Sequence, residues 1–269
     1  MQLRFENGVS RALTLSYDDG QIHDIRLIEI MNRYGIKGTF NLNSGYFFEN
    51  GKGFRGEKTI EEAREIYKGH EIAVHGLTHP FTSELNEQEI LLEVWEDRKN
   101  LEKAFGGIVR GMAYPFGCFN DKTVNVLKTA GIAYSRTTIA TKSFDIPEDW
   151  LRMPVTCHHY EPELMTLAKR FIEEDGRWGR PSLFYVWGHS YEFARNDDWN
   201  VIEDFCKYTG GRDNVWYATN IEIYDYVKAF ESLITNTDKT EIFNPSSRTV
   251  WFTEGGETYA VKPGETIKR

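Results

Sequence analysis

The sequence predicts an α/β fold, a distorted barrel of seven or eight strands alternating with helices and followed by a short C-terminal β appendage. Three observations carry this expectation. Short apolar runs alternate regularly with amphipathic stretches from about Ala12 to Leu233, no Gly-x-Gly-x-x-Gly follows the first run, and the pattern changes after Leu233. Alternation of this kind implies parallel strands joined by right-handed crossovers. An open doubly wound sheet and a closed barrel both accommodate it, and a strand count near eight without a dinucleotide fingerprint favours the barrel.

In order, Ala12–Tyr17 reads as a strand and Ile22–Tyr34 as a helix ending at Gly35. Gly38–Asn43 is a second strand, and Thr59-Ile60-Glu61-Glu62 has the layout of a capping box that opens a helix closing near Gly69. Glu71–His75 is the third strand, and Asn86–Phe105 is a long helix stopped by Gly106-Gly107. Gly111–Tyr114 is a strand, Asp121–Ala130 a helix, and Ile132–Thr137 and Met153–Thr156 are strands. The helix Glu161–Glu174, the strand Leu183–Trp187, the helix Asp197–Tyr208, the strand Val215–Ala218 and the helix Ile221–Leu233 complete the series. Residues 1–235 are therefore expected to form the barrel. Residues 236–269 form the appendage, with Val250–Glu254 and Glu257–Val261 as a hairpin around Gly255-Gly256.

Composition narrows the class. The 269 residues are 40% hydrophobic, 14% aromatic and 27% charged, which suits a globular core. A formal charge of −9 disfavours partners held through phosphates, so neither nucleic acid nor an anionic membrane surface is expected. Cys118, Cys157 and Cys206 show no metal or redox spacing and read as reduced thiols. No apolar run approaches the roughly 18 residues of a membrane span, and the first residues lack a signal-peptide layout, so a cytoplasmic protein is expected.

Five of the seven histidines, His75, His79, His158, His159 and His189, fall just past predicted strand ends, as do Asp18 and Asp19. In a parallel barrel those positions line the mouth where active sites are built. Two adjacent carboxylates before Gly20 can point in different directions, one toward a cation and one toward a proton. His75 and His79, four apart, can share a metal if they lie on one helical turn, and a carboxylate from another strand completes a three-ligand hydrolytic set. Tyr114-Pro115-Phe116-Gly117 forms a turn able to aim the Phe116 N–H at a developing oxyanion. Arg110 begins the same strand. His189 is available as a general acid, and alternation places one of His158 and His159 toward the site and the other toward solvent. Tyr114, Trp187 and Tyr191 place aromatic rings near the predicted mouth, available for stacking.

These pieces, in this order, resemble the polysaccharide deacetylase family, the NodB-homology or carbohydrate esterase family 4 proteins. Thr14-Leu15-Ser16-Tyr17-Asp18-Asp19-Gly20 is similar to the family's T-F-D-D-G motif, and His75-Gly76-Leu77-Thr78-His79 to its H-S/T-x-x-H motif. The resemblance implies Asp18 as general base, Asp19, His75 and His79 as ligands of one divalent ion with zinc expected, and His189 as general acid. It implies removal of N-acetyl groups from an amino sugar, oligosaccharide or polysaccharide. The third motif departs, because Ala113 stands where the family has arginine and Arg110 lies three residues early. For the fourth motif only Asp149-Trp150 offers itself, with His158 as a further substrate contact. Competing readings are an O-acetylesterase, a sugar deformylase, a catalytically weakened glycan-binding protein and a phosphate-ester hydrolase. The last lacks a basic clamp.

Overall fold

Every residue of the segment Arg11–Asp18 is buried, as expected for a strand covered on both faces, and it lies at the centre of the fold. The computed structural model describes residues 1–174 and 179–269. Its elements begin with β1 (Gln2–Arg4), β2 (Arg11–Asp18), α1 (Asp24–Arg33), β3 (Gly38–Leu42), α2 (Ser44–Phe47) and α3 (Ile60–Ile66). There follow β4 (Glu71–Val74), α4 (Glu87–Phe105), β5 (Gly111–Ala113), α5 (Asp121–Thr129) and β6 (Tyr134–Ala140). Next come β7 (Met153–Val155), β8 (Cys157–His158), α6 (Leu164–Glu173), β9 (Ser182–Gly188), α7 (Ser190–Asn196) and α8 (Asn200–Thr209). The chain ends with β10 (Val215–Tyr217), α9 (Asn220–Glu231), β11 (Ile234–Thr235), β12 (Glu241–Phe243), β13 (Val250–Glu254), β14 (Glu257–Val261) and β15 (Thr266–Lys268).

The main sheet has the order β7-β6-β5-β4-β3-β2-β9-β8, with all neighbours parallel. Strand β10 pairs with residues 11–13 of β2, while β3 pairs with residues 15–18 of the same strand. Only Thr156 separates β7 from β8, and its N–H donates to the Tyr185 carbonyl at 2.9 Å. The stretch 153–158 therefore lies against β6 at one end and β9 at the other, nearly closing the sheet into a barrel.

Alternation along β2 decides what each face does. Leu13, Leu15 and Tyr17 belong to the large apolar layer shared with Leu27, Ile28 and Met31 of α1. The opposite parity, Ala12, Thr14, Ser16 and Asp18, turns inward and becomes polar toward the mouth. Thr59 and Glu62 make the expected capping box, with Thr59 N donating to Glu62 at 2.8 Å and Glu62 N to Thr59 at 3.1 Å.

Several expected boundaries shift. The helix expected over 197–208 is α8, which starts three residues later at Asn200, because Asp197 adopts a left-handed conformation that ends a separate, unexpected helix, α7. The strand expected over 132–137 runs to Ala140, held by the partnership of Ala140 with Val155. The C-terminal hairpin of β13 and β14 is joined by β1 in an antiparallel sheet, and β11, β12 and β15 form another. Leu3 and Phe5 pack with Ala12, Tyr134, Leu183 and Tyr226 at the N-terminal end of the barrel strands, opposite the mouth. Among the described residues no helix is long and apolar enough to cross a membrane.

Candidate active site

Asp18 is the last residue of β2, turned inward and 2% exposed. Its Oδ1 accepts the Asn41 amide at 2.8 Å, and its Oδ2 accepts a short bond from Arg136 Nη2. Burial alone pushes its pKa up. The charges of Arg136, His75 and His189 outweigh that and hold it below the usual carboxylate range.

Asp19 turns the other way. It has φ of +77°, its N–H donates to the Asn41 carbonyl at 3.0 Å, and Gly20 follows with φ of +58°. Glycine is required there twice over, since a Cβ would lie 2.6 Å from Leu42 Cδ2 and the backbone is left-handed. Asp19 Oδ1 lies 3.7 Å from both His75 Nε2 and His79 Nε2. Those separations are close to the roughly 3.3 Å edge of a tetrahedron with arms of about 2.0–2.1 Å.

His75 and His79 do not share a helical turn, as the spacing suggested. They sit on an irregular loop after β4, in which Gly76 has φ of +77° and His79 of +54°. The left-handed bends bring the two rings to 4.8 Å between centroids. His75 Nδ1 lies 2.8 Å from the Ala113 carbonyl, which can only accept, so the proton is on Nδ1 and the Nε2 lone pair faces Asp19. This donor set fits a divalent cation.

A second cluster, His158, His189 and Glu192, has ligand-type atoms equally close together. Its hydrogen bonding differs. His158 Nδ1 accepts the Tyr160 N–H at 3.2 Å, which places the ring proton on Nε2, 3.2 Å from Glu192 Oε2. That nitrogen is therefore a donor to Glu192 and has no lone pair for an ion. His189 Nδ1 lies 3.3 Å from the same oxygen, leaving Nε2 for proton transfer. Burial would lower the pKa of His189, but Glu192, Asp18 and Asp19 together raise it above the ordinary histidine value. Burial likewise raises Glu192, and the three surrounding imidazoles outweigh it and hold the carboxyl far below its usual range.

Both His158 and His159 face this carboxylate, so neither takes the solvent-facing role that alternation suggested. His159 is fully buried, which brings its pKa down to about 4. It packs so closely on Gly188 that a Cβ there would lie 2.0 Å from Nδ1.

Phe116 also has a left-handed backbone, φ +56°, worth about 1–2 kcal/mol of strain. Its N–H donates to no acceptor among the described residues, and its ring packs 4.3 Å from that of His79.

Four expected residues lie elsewhere. Arg110 precedes β5 and so sits at the N-terminal end of the strand, where it pairs with Asp225 at 2.7 Å. The Tyr114 ring is 1% exposed, its hydroxyl donates to the Leu151 carbonyl at 2.7 Å and its N–H to the Arg136 carbonyl, so it offers neither an oxyanion donor nor a stacking face. Asp149 binds Arg152, and Trp150 packs on Tyr224, so this pair braces nothing at the mouth.

Sequence reasoning missed Arg136 and Glu192. Arg136 is fully buried, with its guanidinium 4.4 Å over the Trp187 ring, and its register partner on β5 is Ala113. The guanidinium absent from Ala113 thus arrives one strand over. Its polar neighbours Ser135, Thr137 and Thr138 left no signal in the sequence that this arginine would be buried. Glu192 occupies the capping position three residues beyond His189, a spacing that reads as a helix start.

A near-closed parallel barrel thus carries a His/His/Asp set and a buried Asp–Arg pair at its mouth. The model of the polysaccharide deacetylase family matches residues 6–135, just under half of the chain. The chain is 23% identical over 141 residues to a chitooligosaccharide deacetylase of Sinorhizobium fredii, covering 51% of this chain and 59% of that protein. In fold it is similar to a putative polysaccharide deacetylase from Mycobacterium smegmatis, with a TM-score of 0.63, 18% identity, and coverage of 86% of this chain and 94% of that one. It is also similar to a family 4 acetyl xylan esterase from Clostridium thermocellum in complex with a cobalt ion, with a TM-score of 0.51, 14% identity, and coverage of 80% and 90%.

Proposed function

We propose that this protein is a metal-dependent hydrolase that removes N-acetyl groups from an amino sugar or its oligomers. The observation that carries the reading is the convergence of Asp19, His75 and His79, with the His75 tautomer set by Ala113, beside an Asp18 kept ionised by Arg136. A divalent ion held by those three residues, zinc being expected, would polarise the acetyl carbonyl and lower the pKa of a water from about 15.7 toward 7. Asp18, anionic across the working pH range, takes the proton of the attacking water. The unpartnered Phe116 N–H donates to the oxyanion, an interaction worth roughly 3–4 kcal/mol for one well-placed donor. His189 gives the Nε2 proton to the departing amine while Glu192 holds the ring through Nδ1. The match of the polysaccharide deacetylase model to residues 6–135 and the similarity to a chitooligosaccharide deacetylase support this reading.

The test is acetate release from N-acetylglucosamine oligomers by the metal-loaded protein, beside O-acetylated xylan and an N-formylated sugar. Acetate from the amide substrate, lost on chelation, is expected. A metal-loaded chain that releases acyl groups from the ester alone would replace the reading with an esterase.

Glu192→Gln gives an independent check on the acid. Protonated His189 is the active form, so activity falls as pH rises through its raised pKa. Removing the Glu192 anion lets His189 lose its proton sooner, and the alkaline limb of kcat/KM is expected to move to lower pH. An unmoved limb would separate Glu192 from the acid function.

A further inference from the structure

The loop from His75 to His79 is irregular and twice left-handed, yet one helix face pins it along its length. Asp97, buried on α4, accepts the Ser44 N–H on Oδ1 at 2.6 Å and, on Oδ2 at 3.0 Å, the His75 N–H, which it shares with the Leu42 carbonyl at 3.1 Å. One turn earlier on the same face, Glu93 accepts the Thr78 N–H on Oε2 at 2.8 Å and the Thr78 hydroxyl on Oε1 at 2.7 Å. The Glu93 backbone carbonyl accepts the Leu77 N–H at 3.1 Å. From the other side, Asn43 donates to the carbonyls of His75 and Gly76. The mechanism uses neither acidic side chain.

We propose that α4 is the template of the metal loop, with Glu93 and Asp97 as positioning residues that hold His75 and His79 in register for one ion. The inference rests on the metal reading above. A loop with left-handed residues at Gly76 and His79 relaxes when its backbone donors lose their acceptors, and the two imidazoles then no longer meet. The pattern belongs to this helix: Asp97 fixes the strand end that carries the first histidine, and Glu93 fixes the residue just before the second. Outer groups that orient metal-binding histidines typically account for 10–100-fold in affinity.

The experiment is the zinc dissociation constant of the full chain, by competition with a chromophoric chelator, together with the melting temperature of the metal-free protein. Glu93 is partly exposed, so truncating it does not threaten the core. Glu93→Ala is expected to weaken zinc 10–100-fold with the metal-free melting temperature unchanged. Glu93→Gln should restore near-wild-type affinity, because its carbonyl still accepts the Thr78 N–H and its amide can donate to the Thr78 hydroxyl. Asp97→Asn should weaken zinc as well, since Asp97 faces two N–H donors and an amide offers only one acceptor. Wild-type zinc binding with unaltered affinity in Glu93→Ala overturns the template alone. A wild-type chain that takes up no divalent ion overturns the metal reading with it.

Discussion

Arg136→Ala is expected to cost about 3–5 kcal/mol of stability and most of the catalytic activity. Arg136 is fully buried and Asp18 nearly so, so their charges have no water to fall back on. Removing one partner of a buried pair leaves the other uncompensated, and that loss exceeds the net worth of the pair. Without the guanidinium, burial dominates and Asp18 moves toward its protonated form, which cannot accept a proton from water. Denaturant unfolding measures the first effect and the acid limb of the rate profile the second. Ala113→Arg combined with Arg136→Ala sharpens the argument. The two positions are register partners in parallel strands and face the same side. The double variant is therefore expected to recover part of the activity that Arg136→Ala loses. Stability and rate within error of wild type in Arg136→Ala would remove arginine from the account of the base.

What was legible in the sequence was local. Apolar period and caps announced the alternation of strands and helices, and the position of Asp18, Asp19, His75, His79 and His189 past strand ends announced the mouth at which the structure gathers them. The errors share one physical cause, which is that register and direction are not written in composition. Arg110 looked near the site because it adjoins a site strand, but it stands at that strand's beginning, a full strand length from the mouth. Nothing in the mixed polar and apolar stretch around Arg136 singled it out, and only the alignment of β5 with β6 reveals that it lies beside Ala113. Tyr114 is one residue beyond Ala113, and the pleat turns it away from the barrel interior. Closure of the barrel depends on residues 153–158 serving two neighbours at once, and the partnership of Leu3 with Phe252 spans nearly the whole chain. Pairings of that range leave no trace in a local window.

Asp18→Asn should retain the metal and lose turnover by roughly 10²–10⁴-fold, the range over which a positioned general base acts. The substitution is close in volume and leaves Asp19, His75 and His79 untouched, so zinc stoichiometry is expected to stay at one per chain. It does disturb hydrogen bonding, because Asp18 accepts from both Asn41 and Arg136 and an amide must present its NH₂ to one of these donors. A melting temperature and a zinc titration on the same preparation show whether the site has kept its shape. His75→Ala supplies the opposite pattern: the imidazole braced by Ala113 is gone, metal uptake fails, and turnover fails with it. The two variants thus separate holding the ion from moving the proton. If Asp18→Asn binds zinc normally and turns over within tenfold of wild type, the proton leaves the attacking water by another route, and Asp18 serves only as the counter-charge of Arg136.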